Sequence, residues 1–279
     1  MISEELRQKV RDERYKARVK QAVDSGVRPL VLKYYQINAC DSKLPMAYRA
    51  VTVINSTSEG VLTPRQYHNA TDKSKVGLHM AEWSVIAAMK AITKMVESGR
   101  EIAWISVHCP SMMVSRVDMY EWMKHLIKKY DFKYPEKLCL EFMPSLLREK
   151  TADARLSVLD MKLLGVKTML VGGASGECPI SKLVSIPVDM VMLSGSVTAL
   201  TGSRNKPKVV QSLVAYIQSM RAEVYAEGVL DDEQVRLLSR MDCIGYSTSA
   251  KYTGNSATER NMSFDKALCQ KNTEEGIGV

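Results

Sequence analysis

The chain has 279 residues, 46% hydrophobic and 25% charged, which is enough to bury a sizeable core and excludes wholesale disorder. Either one α/β barrel or two smaller domains fits this length. Lys and Arg number 39 against 31 Asp and Glu, for a formal charge of +8. The excess permits an anionic partner, but the basic residues are interspersed with acids and form no aromatic-rich block, so no nucleic-acid binding is expected.

The six cysteines (Cys40, Cys109, Cys139, Cys178, Cys243 and Cys269) make no CxxC pair and no zinc-type spacing. Free thiols in a reducing, cytoplasmic setting are the simplest expectation. The N-terminus is charged from the start and lacks an apolar signal core. No run of about 18 apolar residues occurs, so no membrane span is expected.

In chain order, residues 2–24 read as one helix with a narrow stripe of Ile2, Leu6 and Val10. That stripe suits either a docking or dimer helix or a solvated helix leaning on the main domain. Residues 1–28 therefore form an expected helical extension. Two β-rich runs follow, "PLVLKYYQI" and "AYRAVTVI", joined by a turn from Asp41 to Pro45, and they are expected to pair as an antiparallel hairpin. Val85, Met89, Ile92 and Val96 recur at helical spacing and end before Gly99. "EIAWISVH" is a strand, Met119 to Leu126 a helix, "KLCLEF" a strand, Leu156 to Leu164 a helix, and "VKTMLV" and "VDMVML" are strands. The helix of Val210, Leu213, Val214 and Ile217, the strand "EVYAEGV", a helix capped by Asp231 with Gln234 three residues on, and "DCIGY" complete the series. Strands alternating with helices argue for parallel βαβ units and suggest a (β/α)8-like barrel, with an open doubly wound sheet as the alternative. Chemistry then belongs at the carboxyl ends of the strands. Residues 29–253 are the expected barrel domain and 254–279 a polar tail.

Those strand ends carry Arg49, His108, Glu141, Val171 with Gly172, Met192 with Ser194, and Glu227. The order of elements and several fragments resemble the EAL family of cyclic-di-GMP phosphodiesterases. "AEGV" at Ala226 to Val229 is similar to that family's AEGVE, and "LEFMPS" at Leu140 to Ser145 to its LEITES. Residues Val171 to Val197 resemble the segment opening DDFGTG, with Gly176, Leu183, Pro187, Val188 and Asp189 in register. "GVLTP" at Gly60 to Pro64 and "IGY" at Ile244 to Tyr246 match its GxxxP and QGY. The resemblance implies a modified TIM-like barrel with an antiparallel first-strand hairpin.

It also implies that most of the family's metal site is gone. Arg49 stands at the first metal-binding glutamate, Val53 at a phosphate-contacting arginine, and His108 at a metal-binding asparagine. Val171 and Gly172 replace two aspartates, Met192 the catalytic lysine, Ser194 an aspartate, Pro144 an acid, Leu230 a glutamate and Ile244 a glutamine. Only Glu141 and Glu227 keep their acids. Carboxylates offset divalent cations and a lysine can activate water, so these losses imply a chain without intact catalytic residues and without a cofactor. A possible pocket comprises Arg49, His108, Glu141, Gly173 and Glu227, with Arg49 close enough to an acid to stand in for the missing ionic charge. His108, Glu141 and Glu227 form an alternative one-metal set. Cys109 and Cys178 border the same mouth, and "GGASG" could form an anion nest.

The leading functional expectation is a catalytically inactive, regulatory protein-binding module in bacterial signalling. The alternative is a non-hydrolysing receptor for cyclic-di-GMP or another anionic nucleotide. A metal-dependent hydrolase with a rebuilt site comes third. The expected partner is another protein, and a homodimer is left open.

Overall fold

The structure is a computed structural model and describes residues 13, 14, 17, 30–41, 43–56, 60–149, 151–174, 183–202 and 206–249; for 65, 69, 70, 148 and 149 it describes the backbone alone. The stripe of Ile2, Leu6 and Val10, the polar tail, Cys178, Cys269 and the second half of "GGASG" lie outside the described residues.

Leu30–Ala39 (β1) and Ala47–Ser56 (β2) form the expected antiparallel hairpin, from Leu30 opposite Ile54 to Ile37 opposite Ala47. Gly60–Leu62 (β3) continues antiparallel on the outer side of β2. Ile105–His108 (β4), Leu138–Phe142 (β5), Lys167–Gly173 (β6), Met190–Leu193 (β7), Glu223–Val229 (β8) and Gly245–Thr248 (β9) follow in parallel from β2 onward. β9 then pairs antiparallel with β1, which closes the sheet. The result is an eight-stranded barrel in which β1 alone runs against its neighbours, with β3 as an outer flap on β2.

Closure at the β1/β9 seam depends on Gly245. A Cβ there would lie 2.6 Å from the backbone oxygen of Asn38 and 3.1 Å from the Tyr225 ring, so no side chain fits. At the amino-terminal ends of the parallel strands, Asp189 fastens β6 to the chain entering β7. Its Oδ2 accepts from the Thr168 amide at 2.8 Å and from the Thr168 hydroxyl at 2.7 Å, while Lys162 lies 3.2 Å from its Oδ1.

Helices cover the outside: Pro64–Thr71 (α1), Lys75–Glu97 (α2), Ser111–Val114 (α3), Met119–Lys129 (α4), Ser145–Glu149 (α5), Thr151–Leu163 (α6), Gly195–Thr198 (α7), Pro207–Ser219 (α8) and Asp232–Arg240 (α9). The barrel interior is filled by a separate apolar cluster that includes Ile37, Trp104, Cys139, Met169, Met190 and Tyr225. Trp104 and Tyr225 meet edge to face, with centroids 5.4 Å apart.

The strand predicted over "EIAWISVH" is confined to Ile105–His108, because Ala103 N and Trp104 O bond to Met46 and Tyr48 before regular pairing starts. Asp231 caps α9 as expected, accepting from Gln234 N at 2.8 Å. Gln234 reaches one residue farther back than a capping box requires, and its Oε1 accepts from Leu230 N.

Candidate functional site

The carboxyl ends of β2, β4, β5, β7 and β8 open onto one cavity of about 1110 Å³, whose wall includes Arg49, His68, Asp72, His108, Glu141 and Glu227. Ala47 belongs to the interior cluster, so strand alternation aims Arg49, two residues on, inward and one layer nearer the cavity. Arg49 Nε donates to Glu141 Oε2 at 3.0 Å, and Nη2 lies 2.9 Å from the same oxygen. The other oxygen of Glu141 accepts from Ser106 Oγ at 2.6 Å. Arg49 Nη1 lies 3.6 Å from Glu227 Oε1. One guanidinium thus faces both acids that the sequence retains.

The two contacts differ in setting. The Glu141 side chain is 3% exposed and that of Glu227 is 41% exposed, so the first ion pair is shielded from water and the second is largely solvated. The Arg49 pKa is raised by the Glu141 charge, an effect that burial opposes and Glu227 reinforces.

The positions at which the resemblance implies lost polar groups serve packing here. Val171 and Met192 are buried in the interior cluster, and Ile244 packs against it. Gly172 has a φ of +73° and interrupts the β6/β7 register, a left-handed conformation that suits glycine. A Cβ on Gly173 would lie 2.4 Å from Val191 Cγ1, so its lack of a side chain is a packing requirement.

A second polar group shares the cavity wall, and sequence reasoning missed two of its members. Thr63 N–H donates to Gln66 Oε1 at 2.9 Å at the start of α1, and Pro64 takes the first helical position, where its missing N–H costs nothing. Tyr67 pins the helix to the barrel: it is buried with Ile54, Leu62 and Met80, and its hydroxyl donates to Thr52 O at 2.6 Å. His68 and Asp72 are four residues apart, joined by the Asp72 N–H to His68 O bond, and so share one helical face. That face meets His108 at the end of β4. The His68 and His108 rings stand edge to face with centroids 3.9 Å apart, and His108 Nε2 lies 3.5 Å from Asp72 Oδ1.

Burial and the neighbouring His108 push the His68 pKa down to about 3, with Arg49 adding to the shift and Asp72 opposing it. The imidazole is therefore neutral at pH 7. Burial raises the pKa of Asp72, but His108 and Ser111 outweigh it and leave the carboxyl at about 2. Ser111 fixes that carboxylate by donating its hydroxyl to Oδ2 at 2.6 Å and its amide to Oδ1 at 3.2 Å.

Among the described residues, the group of His, Cys and acidic side chains whose donor atoms gather within 4.8 Å is His68, Asp72 and His108, rather than His108, Glu141 and Glu227. Cys109, at the same mouth, is wholly buried, which drives its thiol far above the ordinary range and leaves it unreactive.

A two-cation centre of the kind the family resemblance implies does not fit these residues. The guanidinium of Arg49 is held against Glu141 and Glu227, and buried Val171 and left-handed Gly172 offer no side-chain ligand atoms.

Fold and site together define an α/β barrel with one reversed strand and a polar cavity at its carboxyl-terminal mouth. The chain belongs to the EAL domain family, whose model matches residues 19–246. It is 20% identical over 251 residues to the cyclic di-GMP phosphodiesterase NbdA of Pseudomonas aeruginosa, covering 87% of this chain and 29% of that protein. The chain thus spans less than a third of that curated relative. Among solved structures, the PaMucR phosphodiesterase in complex with c-di-GMP superposes with a TM-score of 0.73 at 19% identity, covering 84% of this chain and 94% of that one. The FimX EAL domain from Pseudomonas aeruginosa bound to c-di-GMP gives 0.73 at 13% identity, covering 84% and 93%. No helix among the described residues is long and apolar enough to cross a membrane.

Proposed function

We propose that this chain is a catalytically silent EAL domain that works as a regulatory, protein-binding module in cytoplasmic cyclic-di-GMP signalling. The observation that carries the reading is the Arg49 guanidinium seated against Glu141 and Glu227. A hydrolytic centre of two divalent ions needs those carboxylates for the metals, and a bound cationic side chain competes for the same oxygens. A second observation supports a protein partner. Leu156, Leu159 and Leu163 stand at i, i+3 and i+7 spacing on α6, and all three are exposed, which forms an apolar stripe on an outer helix.

The test is direct. The full chain, incubated with cyclic-di-GMP and Mg²⁺ or Mn²⁺, is expected to yield no linear dinucleotide by chromatography, and measurable turnover would overturn the reading. Partner capture is expected to be lost when Leu156 and Leu163 are both changed to Asp. Equal capture by that variant would move the docking surface elsewhere.

A non-hydrolysing receptor is the second reading. The cavity of about 1110 Å³, with the Arg49 side chain 26% exposed in its wall, supports it, since a nucleotide-sized space with a cation survives the loss of the acids. A rise in melting temperature on adding cyclic-di-GMP without metal would favour this reading over the first.

A further inference from the structure

We propose that His68, Asp72 and His108 form a binding site for a single divalent transition-metal ion of the zinc class, separate from the Arg49 centre. The site shares only His108 with the ligand set the family resemblance implies and uses neither Glu141 nor Glu227. Two imidazoles and one carboxylate are a donor set suited to Zn²⁺ or Fe²⁺ and poorly suited to Mg²⁺, which demands oxygen ligands.

The geometry is close to what such an ion needs. Donors bonded to zinc at about 2.0–2.2 Å in a tetrahedron stand roughly 3.4 Å from one another. His108 Nε2 and Asp72 Oδ1 are already 3.5 Å apart, and the whole set lies within 4.8 Å. Closing the remainder requires movement of order 1 Å, within reach of small side-chain rotations.

The surroundings match a ligand role. His108 Nε2 is buried, and beyond its 3.5 Å approach to Asp72 Oδ1 it has no hydrogen-bond partner among the described residues. A buried ring nitrogen left in that state costs free energy that a metal bond removes. The Ser111 hydroxyl and amide orient the Asp72 carboxylate, as outer partners do in metal centres. Arg49 is the opposing charge, but Glu141 and Glu227 both lie against its guanidinium, which reduces its repulsion of a second cation.

Binding would tie α1 to the end of β4, since His68 lies on the helix, Asp72 at its C-cap and His108 on the strand. The open coordination positions would face the cavity that all three residues line.

The experiment is equilibrium dialysis of the full chain with Zn²⁺, with Mg²⁺ as comparison, followed by the absorption spectrum with Co²⁺ in place of zinc. One equivalent of Zn²⁺ is expected, with no Mg²⁺ taken up and a Co²⁺ spectrum lacking thiolate charge-transfer bands. His68→Ala and Asp72→Asn should each weaken binding at least about tenfold, Ser111→Ala on the order of tenfold, and the exposed-histidine variant His125→Ala not at all. His68→Gln, which keeps the helix surface polar, provides the same reading if His68→Ala does not fold. No bound equivalent, binding that survives both His68 substitutions, or thiolate bands from the cysteines would overturn the proposal.

Discussion

Replacing Arg49 by Met keeps most of the side-chain bulk and removes the cation. The Glu141 carboxylate, 3% exposed, then loses two nitrogens that now lie 2.9 and 3.0 Å from one oxygen. Breaking a shielded pair while leaving its partner charged costs about 3–5 kcal/mol. Ser106 still donates to the other oxygen, so the lower end, about 3 kcal/mol, is expected. For a domain of this size that corresponds to a fall in melting temperature of roughly 6–12 °C. The pairwise part is isolated by a double-mutant cycle with Glu141→Gln, read by urea denaturation, and should be about 2–3 kcal/mol. The same cycle with Glu227→Gln should give only about 0.5 kcal/mol, because that contact is longer, at 3.6 Å, and 41% exposed on the acid side. Equal couplings for the two acids, or a Glu141 coupling below about 0.5 kcal/mol, would refute the assignment of Arg49 as the counter-charge of a buried carboxylate.

Three further outcomes follow from the fold. Asp189→Ala removes the acceptor of the buried Thr168 hydroxyl and of its amide, and should cost about 2–3 kcal/mol by chemical denaturation; a neutral result would mean water replaces the carboxylate. Gly245→Ala places a methyl 2.6 Å from Asn38 O, and should destabilise the β1/β9 seam by at least about 1–3 kcal/mol, seen as faster amide exchange in β1. Burial raises Cys40 to about 11 and Cys243 to about 12 from an ordinary 9.0, so the native state keeps protons that the unfolded chain releases. Stability should therefore be full below pH 9 and fall as pH rises toward 11 and 12, by on the order of 1 kcal/mol per thiol per pH unit, with the Cys40→Ala variant showing a shallower slope in urea titrations.

The barrel was legible in the sequence because its periodicities are strong. Apolar runs such as "KLCLEF" and the Val85 to Val96 spacing can only be buried as strand and helix, and the hairpin followed from two β-rich runs with a short turn between them. The pairing of Arg49 was legible too, since a cation among surviving acids has few other places to go. The helix α1 was not. Its residues Arg65, Gln66, His68 and Asn69 give no apolar stripe, and Tyr67 is its buried aromatic anchor among the described residues. The available signal was local: Thr63, Pro64 and Gln66 at cap spacing, with His68 and Asp72 one helical turn apart. Attention to strand ends also hid Asp72, which reaches the cavity from a helix terminus. Gly172, read as an erased charge, is a geometric requirement of a bulge, and Gly173, read as a pocket residue, is required by a tight strand contact.

The Arg49 guanidinium has one property that no bound ion shares. A coordinated cation has an off-rate and an occupancy, and it can be stripped by chelators or exchanged for a competitor. A cation carried on β2 is present at one per molecule for as long as the barrel is folded. The guanidinium's own charge therefore does not depend on the surrounding concentration of Mg²⁺ or Mn²⁺. Its presence answers to the folding equilibrium, because it is part of the chain.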